Sequence, residues 1–539
     1  MNRSVRGSAR VHAVGLTVSA VLASLLVSCA PAANPDWQPP SWPGGGNVTL
    51  ASDVSGSDGA ADAEAGDGAD AAPVIDTATL QDLGFYEGRV RNDGASLQAR
   101  FAEIPGDHPF NDLVKDRLRA AVQGTGVAFQ PEAFPQDSGL ADRGCVAGSY
   151  TSDAAELLAD PSTGPTSGTG TAVVCEVLEA FDSVVVVGMR TVTGGPDAVS
   201  SDTVTVLYGD VASGEAYDGS GLWVEGAAEQ LWQSVVASLR REAGALSAAP
   251  AAAPDEAQLA LASAALASAR FGADGTVTVR LPAGIDAPEF AELGVEPTTE
   301  AAELVFEANS VTDWLSAQGA ALPDRLGTEF TGLPPWTAAH PVDCAILTCV
   351  ALTYDDGPSG HTNQLLDTLQ QLHAPATFYM LGGAAAGAPE TVQRAAAEGH
   401  ELGSHTMTHP ELTLVSPGKA AQEVNDAANL LTELTGQSIA TYRPPYGAVN
   451  AAVMAAVDRP AILWRIDTND WQRPGVDELI RRSVDPATPG AIILYHDTHL
   501  DSVTAAPTII EGLTNRGFTM VTVSQLFDGN VPGGRVTGR

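Results

Sequence analysis

Three histidines and four aspartates from residue 355 onward in this 539-residue chain have types and spacings that could do metal and proton chemistry. His405 and His409 are four residues apart, so one helical turn or a tight loop can present both to one ion. Asp355-Asp356 supplies a carboxylate to complete a His/His/Asp set and a second carboxylate to spare. Such a set suits Zn²⁺ or another divalent transition metal and leaves coordination positions for water and substrate. A spare carboxylate beside the ion fits a general base. Further along come Arg443-Pro444-Pro445-Tyr446-Gly447, then Asp467 with Asp470-Trp471, then His496.

These residues must be brought together by the elements around them. Strand-like apolar runs occupy Cys349–Tyr354, Ala376–Leu381, His400–Ser404, Ile439–Tyr442, Ala461–Ile466, Ala491–Tyr495 and Phe518–Val523. Between most of them lie helical patterns such as Leu365/Leu366/Leu369/Leu372 and Val424/Ala427/Leu431/Leu434. The alternation predicts an α/β domain: parallel strands with crossover helices, closed or nearly closed into a distorted (β/α) barrel of about seven strands. In such a barrel, function gathers at the C-terminal ends of the strands. Each chemistry-bearing residue above follows one of these runs, where random placement would scatter them.

The rest of the chain sets the context. The formal charge is −39, from 66 Asp+Glu against 27 Lys+Arg, and only Lys115 and Lys419 are lysines. That balance excludes nucleic-acid binding by broad phosphate neutralisation and argues against peripheral binding to anionic lipid. Arg3, Arg6 and Arg10 precede an apolar run from Ala13 to Val27, a basic segment and hydrophobic segment of signal-peptide length. The run ends in Leu26-Val27-Ser28-Cys29, which resembles a bacterial lipobox and implies lipidation at Cys29 after removal of residues 1–28. The alternative is an ordinary secretory signal with an incidental cysteine. The lipobox implies a protein exported and lipid-anchored to the cell membrane, facing the cell wall. Four cysteines remain, and an even number in an exported chain reads as two disulfides; proximity favours Cys145–Cys175 and Cys344–Cys349. A zinc site built from all four lacks CxxC spacing.

Residues 29–75 read as an acidic Gly/Ala/Asp-rich linker too poor in apolar residues to order itself. An α+β accessory domain is expected over 76–245. In it, Asn92-Asp93-Gly94 marks a turn, and Phe110, Leu113, Val114, Leu118, Ala121 and Val122 share a helix face. A further helix is expected from Gly226 to Leu246. A smaller α+β unit over 256–337 should hold an Ala-rich helix, a strand at Thr276–Leu281 and a helix near Thr298–Glu307.

The catalytic segment resembles a known family, the polysaccharide deacetylases with the NodB-homology domain (carbohydrate esterase family 4). Thr353-Tyr354-Asp355-Asp356-Gly357-Pro358 is similar to that family's T-F-D-D-G-P, with Tyr for Phe. His405–His409 resembles H-[ST]-x-x-H, Arg443–Gly447 resembles R-x-P-[FY]-G, Asp467–Trp471 resembles D-x-x-D-W, and Leu494-Tyr495-His496 resembles L-x-H. The resemblance covers about residues 350–527, within a catalytic domain drawn at 341–530. It implies Asp355 as general base, Asp356, His405 and His409 as ligands of one divalent metal, Zn²⁺ or else Co²⁺, and Arg443 as the residue that tunes Asp355. It further implies the Tyr446 N–H as oxyanion donor, His496 as general acid tuned by Asp467, and Trp471 and Leu494 as walls for the acetyl methyl. The implied activity is removal of N-acetyl groups from a cell-envelope polysaccharide, with peptidoglycan N-acetylglucosamine first among substrates because a tethered enzyme meets its own wall. Chitooligosaccharide deacetylation, acetyl-xylan esterase activity, and a non-enzymatic envelope-binding or sensing lipoprotein with an inert module are the alternatives. Protein partners are not indicated.

Overall fold

The computed structural model describes residues 49–51, 80–242, 251–272, 275–294, 296–298 and 301–539. The apolar leader, Cys29 and most of the expected linker lie outside the described residues. Among the described residues, no helix is long and apolar enough to cross a membrane.

The N-terminal part is built on two sheets. Strand β1 is Thr49–Ala51. Strands β2 (Tyr86–Asn92), β3 (Leu97–Glu103), β4 (Gly170–Phe181), β5 (Val184–Gly195), β6 (Ala198–Asp210) and β7 (Glu215–Asp218) form one sheet in sequence order. All its neighbours are antiparallel except β3 and β4. The turn at Asn92-Asp93-Gly94 joins β2 to β3, with Asn92 Oδ1 accepting from the Ala95 N–H at 2.6 Å. Helix Pro109–Gly124 buries Phe110, Val114, Leu118 and Ala121. The helix expected from Gly226 forms as Ala227–Glu242, with Leu231, Val235 and Val236 buried.

The second sheet corrects two expectations. Its strands are β8 (Arg270–Phe271), β9 (Thr276–Leu281) and β10 (Ala302–Glu307), in the order β1-β10-β9-β8 and all antiparallel. The segment expected to be helical near Thr298–Glu307 is therefore largely a strand. Leu304 and Phe306 are buried on alternate positions of β10, a period of two that suits a half-buried strand. The linker expectation also fails locally: Thr49–Ala51 pairs with Glu303–Val305, so a sheet edge supplies the order that its composition does not. A single apolar cluster including Tyr150, Trp232, Leu266, Phe271 and Phe306 is shared by the two sheets.

The C-terminal part is mixed α/β. Its strands are β11 (Thr348–Asp355), β12 (Thr377–Met380), β13 (Glu401–Ser404), β14 (Ala461–Ile462), β15 (Ile466–Asp467), β16 (Ala491–His496), β17 (Phe518–Val521) and β18 (Arg535–Val536). The order β13-β12-β11-β16-β15 is parallel throughout. β17 pairs with the first half of β11, Thr348–Ala351, and β12 with its end, Thr353–Asp355. Seven regular strands are not present. The fourth run, Ile439–Tyr442, contributes only isolated parallel bridges from Tyr442 to Ser404 and to Ala461. The fifth run is split into β14 and β15. The prolines at 444 and 445 have no N–H, so the fourth ladder cannot extend past Arg443.

The two expected disulfides, Cys145–Cys175 and Cys344–Cys349, are both formed. Cys175, Cys344 and Cys349 belong to one apolar cluster that joins the six-stranded sheet to the start of β11. Polar contacts reinforce that junction. Thr348 Oγ1 donates to the Glu132 carbonyl at 2.7 Å, and Arg143 donates to the Phe518 carbonyl at 2.7 Å. His340 Nε2 lies 2.7 Å from Glu103 Oε2, both side chains buried. These contacts fall at the N-terminal end of β11 and around β17, while the chemistry-bearing residues follow the C-terminal ends.

Candidate active site

β11 ends in Asp355, which is buried, and the backbone turns at Asp356 with φ of 71°. Asp355 Oδ1 accepts from Arg443 Nη1 at 2.8 Å. Arg443 is fully buried and fixed from three sides: Nε donates to the Ile462 carbonyl at 3.1 Å, Nη2 to the Leu463 carbonyl at 3.2 Å, and the guanidinium lies 4.3 Å from the Tyr379 ring centroid. Asp355 is thus a carboxylate with one oxygen committed and the other, Oδ2, 4.0 Å from His405 Nε2.

His405 follows β13. Its Nδ1 lies 2.8 Å from the Arg443 carbonyl, which can only accept, so Nδ1 carries a hydrogen and Nε2 is the nitrogen turned toward the aspartates. His405 Nε2 and His409 Nε2 each lie 3.4 Å from Asp356 Oδ1. One donor atom from each of the three residues falls within 4.8 Å of the others. Asp356 Oδ1 is buried and accepts no hydrogen bond. Burial would raise the Asp356 pKa, but the imidazoles of His405, His496 and His409 outweigh it and hold the carboxyl at about 2. Burial and the neighbouring His405 push His409 down, toward the neutral form that can ligate. A buried, unpartnered carboxylate oxygen facing two imidazole nitrogens is a donor set that fits a divalent cation such as Zn²⁺.

His496 ends β16. The expectation that Asp467 tunes it is corrected: Asp470 does. Asp470 Oδ1 lies 2.8 Å from His496 Nδ1, and Oδ2 accepts from the His496 N–H at 2.7 Å and from Ser502 Oγ at 2.6 Å. On β15, Ile466 is buried and Asp467 exposed, so the alternation sends Asp467 outward. Its carboxylate accepts from the Asn469 N–H at 2.9 Å and lines a separate cavity of about 610 Å³ with Arg465, Asn469, Arg481 and Arg482. The left-handed Asn469, φ 51°, then turns Asp470 inward. Burial alone would lower the His496 pKa; the Asp470 hydrogen bond and the charges of Asp355, Asp470 and Asp356 reverse this and raise it to about 9.

Tyr446 is left-handed, φ 62°, and mostly exposed, with its ring edge-on to His409 at 4.7 Å. Trp471 is 57% exposed beside Asp470, whereas Leu494 is buried on β16, two residues before His496 and on the same face. Tyr354 alternates away from Asp355 and stacks between Phe378 and Tyr495 at 5.6 and 5.2 Å. Sequence reading missed Asp497, a buried carboxyl behind the site whose Oδ2 accepts from Thr362 Oγ1 and whose Oδ1 has no partner. Burial pushes it up to about 7. Its signal was adjacency to His496.

Residues 346–460 match the family model for polysaccharide deacetylase. The peptidoglycan-N-acetylmuramic acid deacetylase PdaC of Bacillus subtilis is 38% identical over 178 residues, 33% of this chain and 38% of that protein. The peptidoglycan-N-acetylglucosamine deacetylase PgdA of Listeria monocytogenes is 37% identical over 179 residues, again 38% of its length. The chain thus spans well under half the length of these relatives. It covers 90% of the chitooligosaccharide deacetylase of Rhizobium leguminosarum bv. trifolii, at 38% identity over 195 residues. A solved structure of PdaC from B. subtilis aligns at 37% identity and a TM-score of 0.34, covering 35% of this chain and 93% of that one. With nearly the whole of a relative matched at this identity, the chain belongs to the polysaccharide deacetylase family.

Proposed function

We propose that the protein is a metal-dependent hydrolase that removes N-acetyl groups from a cell-envelope polysaccharide, with peptidoglycan N-acetylglucosamine as the substrate. The observation that carries this reading is the buried Asp356 Oδ1, which accepts no hydrogen bond and faces His405 and His409, with Asp355 Oδ2 4.0 Å from His405 Nε2 and His496 near enough to help hold the Asp356 carboxyl ionised.

Asp356, His405 and His409 would hold the cation, Zn²⁺ or else Co²⁺. Bound there, a divalent cation supplies Lewis acidity toward the amide carbonyl and acidifies water. Asp355 accepts the proton of the attacking water at Oδ2, while Arg443 keeps Oδ1 occupied. The Tyr446 N–H donates to the developing oxyanion, a contribution of roughly 3–4 kcal/mol for such a donor. His496, kept protonated by Asp470, gives its proton to the departing nitrogen. Trp471 and Leu494 flank the acetyl methyl. Acetate and a free amino sugar leave.

The wall substrate rests on the leader and Cys29, which read as export and lipid anchorage to the membrane, and on relatives named for peptidoglycan. Acetate release from purified peptidoglycan, chitooligosaccharide and acetyl-xylan, with zinc supplied, tests it. Peptidoglycan should release acetate fastest. A preference for either other substrate would replace the substrate reading. No acetate from any would leave an envelope-binding protein.

A further inference from the structure

Glu423 sits on the buried face of helix Pro417–Thr435, beside Ala420, Val424 and Ala427, where an amphipathic helix ordinarily carries an apolar residue. Its carboxylate is turned toward the loop that carries His405 and His409. One oxygen, Oε2, accepts from the Met407 N–H at 3.2 Å, the Thr408 N–H at 3.0 Å and Thr408 Oγ1 at 3.1 Å. The other, Oε1, faces Lys419 Nζ at 3.0 Å. The two oxygens therefore have separate work: one gathers the loop and the other is neutralised from solvent.

The loop needs gathering. Thr406 and His409 both have left-handed backbones, φ 71° and 61°, and Thr406 is β-branched. Such residues are strained and persist only where the surroundings over-determine them. Within the loop, the His409 N–H donates to Thr406 Oγ1 at 3.0 Å. From outside, the Gly382 and Gly383 N–H groups donate to the Thr406 and Met407 carbonyls, each at 3.0 Å, and Glu423 holds the Met407 and Thr408 N–H groups through hydrogen bonds strengthened by its charge.

We infer that Glu423 is a positioning residue for the metal site: by clamping Met407 and Thr408 it fixes the separation and direction of the His405 and His409 imidazoles. This rests on the reading that those histidines bind a divalent cation. The loss of an outer partner that orients ligands weakens metal binding by about 10–100-fold.

The test is the zinc affinity of the full chain, by competition with a chromophoric chelator. Glu423→Ala should weaken binding about 10–100-fold, and Glu423→Gln, which keeps an acceptor oxygen for the loop, should stay within about threefold of native. Lys419→Met should also bind as native does. Native affinity in Glu423→Ala, or equal losses in Ala and Gln, would overturn the inference. Should Glu423→Ala fail to fold, Thr408→Ala removes one of the three hydrogen bonds and should cost about 2–10-fold in affinity; unchanged affinity there would overturn it too. A native chain that binds no zinc would refute the metal reading itself, a different failure.

Discussion

At the scale of single residues, the site is organised by what each carboxylate is paired with. Asp355 is held by Arg443, Asp356 is left without a donor, and Asp470 is bound to His496. Because the His496 pKa is raised, the imidazolium persists up to about pH 9 and its proton is lost above that. Asp470→Asn removes the carboxylate that helps hold it there. The alkaline limb of kcat/KM should then move to lower pH, and acetate release at neutral pH should fall by roughly 10²–10⁴-fold. Asp467→Asn should leave that limb in place; a pH–rate profile of both variants decides between the two aspartates. Arg443→Met should leave Asp355 as an uncompensated buried charge and cost about 3–5 kcal/mol in urea unfolding. A loss under about 1 kcal/mol would mean that Asp355 is solvated after all. The residue types of the site were readable from sequence, because metal and proton chemistry admit few side chains. Which of two aspartates three apart faces His496 was not, since it turns on the left-handed Asn469.

At the scale of elements, the strand ends deliver the site and close packing fixes where they lie. A Cβ at Gly403, on β13 two residues before His405, would overlap the Tyr379 ring, which itself packs against Arg443. Gly403→Ala should destabilise the chain by about 1–3 kcal/mol, read as a lower Tm in thermal unfolding. An unchanged Tm would show that the ring can move aside. Apolar runs at the correct spacing made the strands around β11 legible. The fourth run was harder to read. Ile439–Tyr442 has the composition of a strand, yet Pro444 and Pro445 prevent the ladder from continuing. β10 was misread as a helix because its acidic and alanine residues favour helices in isolation. Its pairing with β9 and β1 decides its state, and partners across a sheet are not visible in a local window.

At the scale of the whole molecule, the six-stranded sheet and the catalytic part share an apolar cluster that includes Leu97, Val173, Ile346, Leu347 and Val521. Arg516 Nε also donates to the Phe134 carbonyl at 2.7 Å. A chain beginning at residue 341 would expose that cluster and lose the Arg143, Glu103 and Phe134 contacts. It should therefore unfold at a lower Tm than a chain that includes the preceding sheets; equal Tm values would make the junction energetically idle. The contacts fall at the N-terminal end of β11, so the preceding sheets support the catalytic part from the side away from Asp355 and Asp356. No local sequence pattern announced this junction, because its partners are more than 200 residues apart.

The central claim is that Asp356, His405 and His409 hold one divalent cation on which acetate release depends. It is tested most directly by zinc titration of the chelator-stripped full chain and its Asp356→Ala variant, with acetate release from purified peptidoglycan followed in parallel. The native chain should take up one zinc ion and regain acetate release with it, while the variant should do neither. Zinc uptake by the variant equal to the native chain's, or acetate release that survives chelation, would contradict the account.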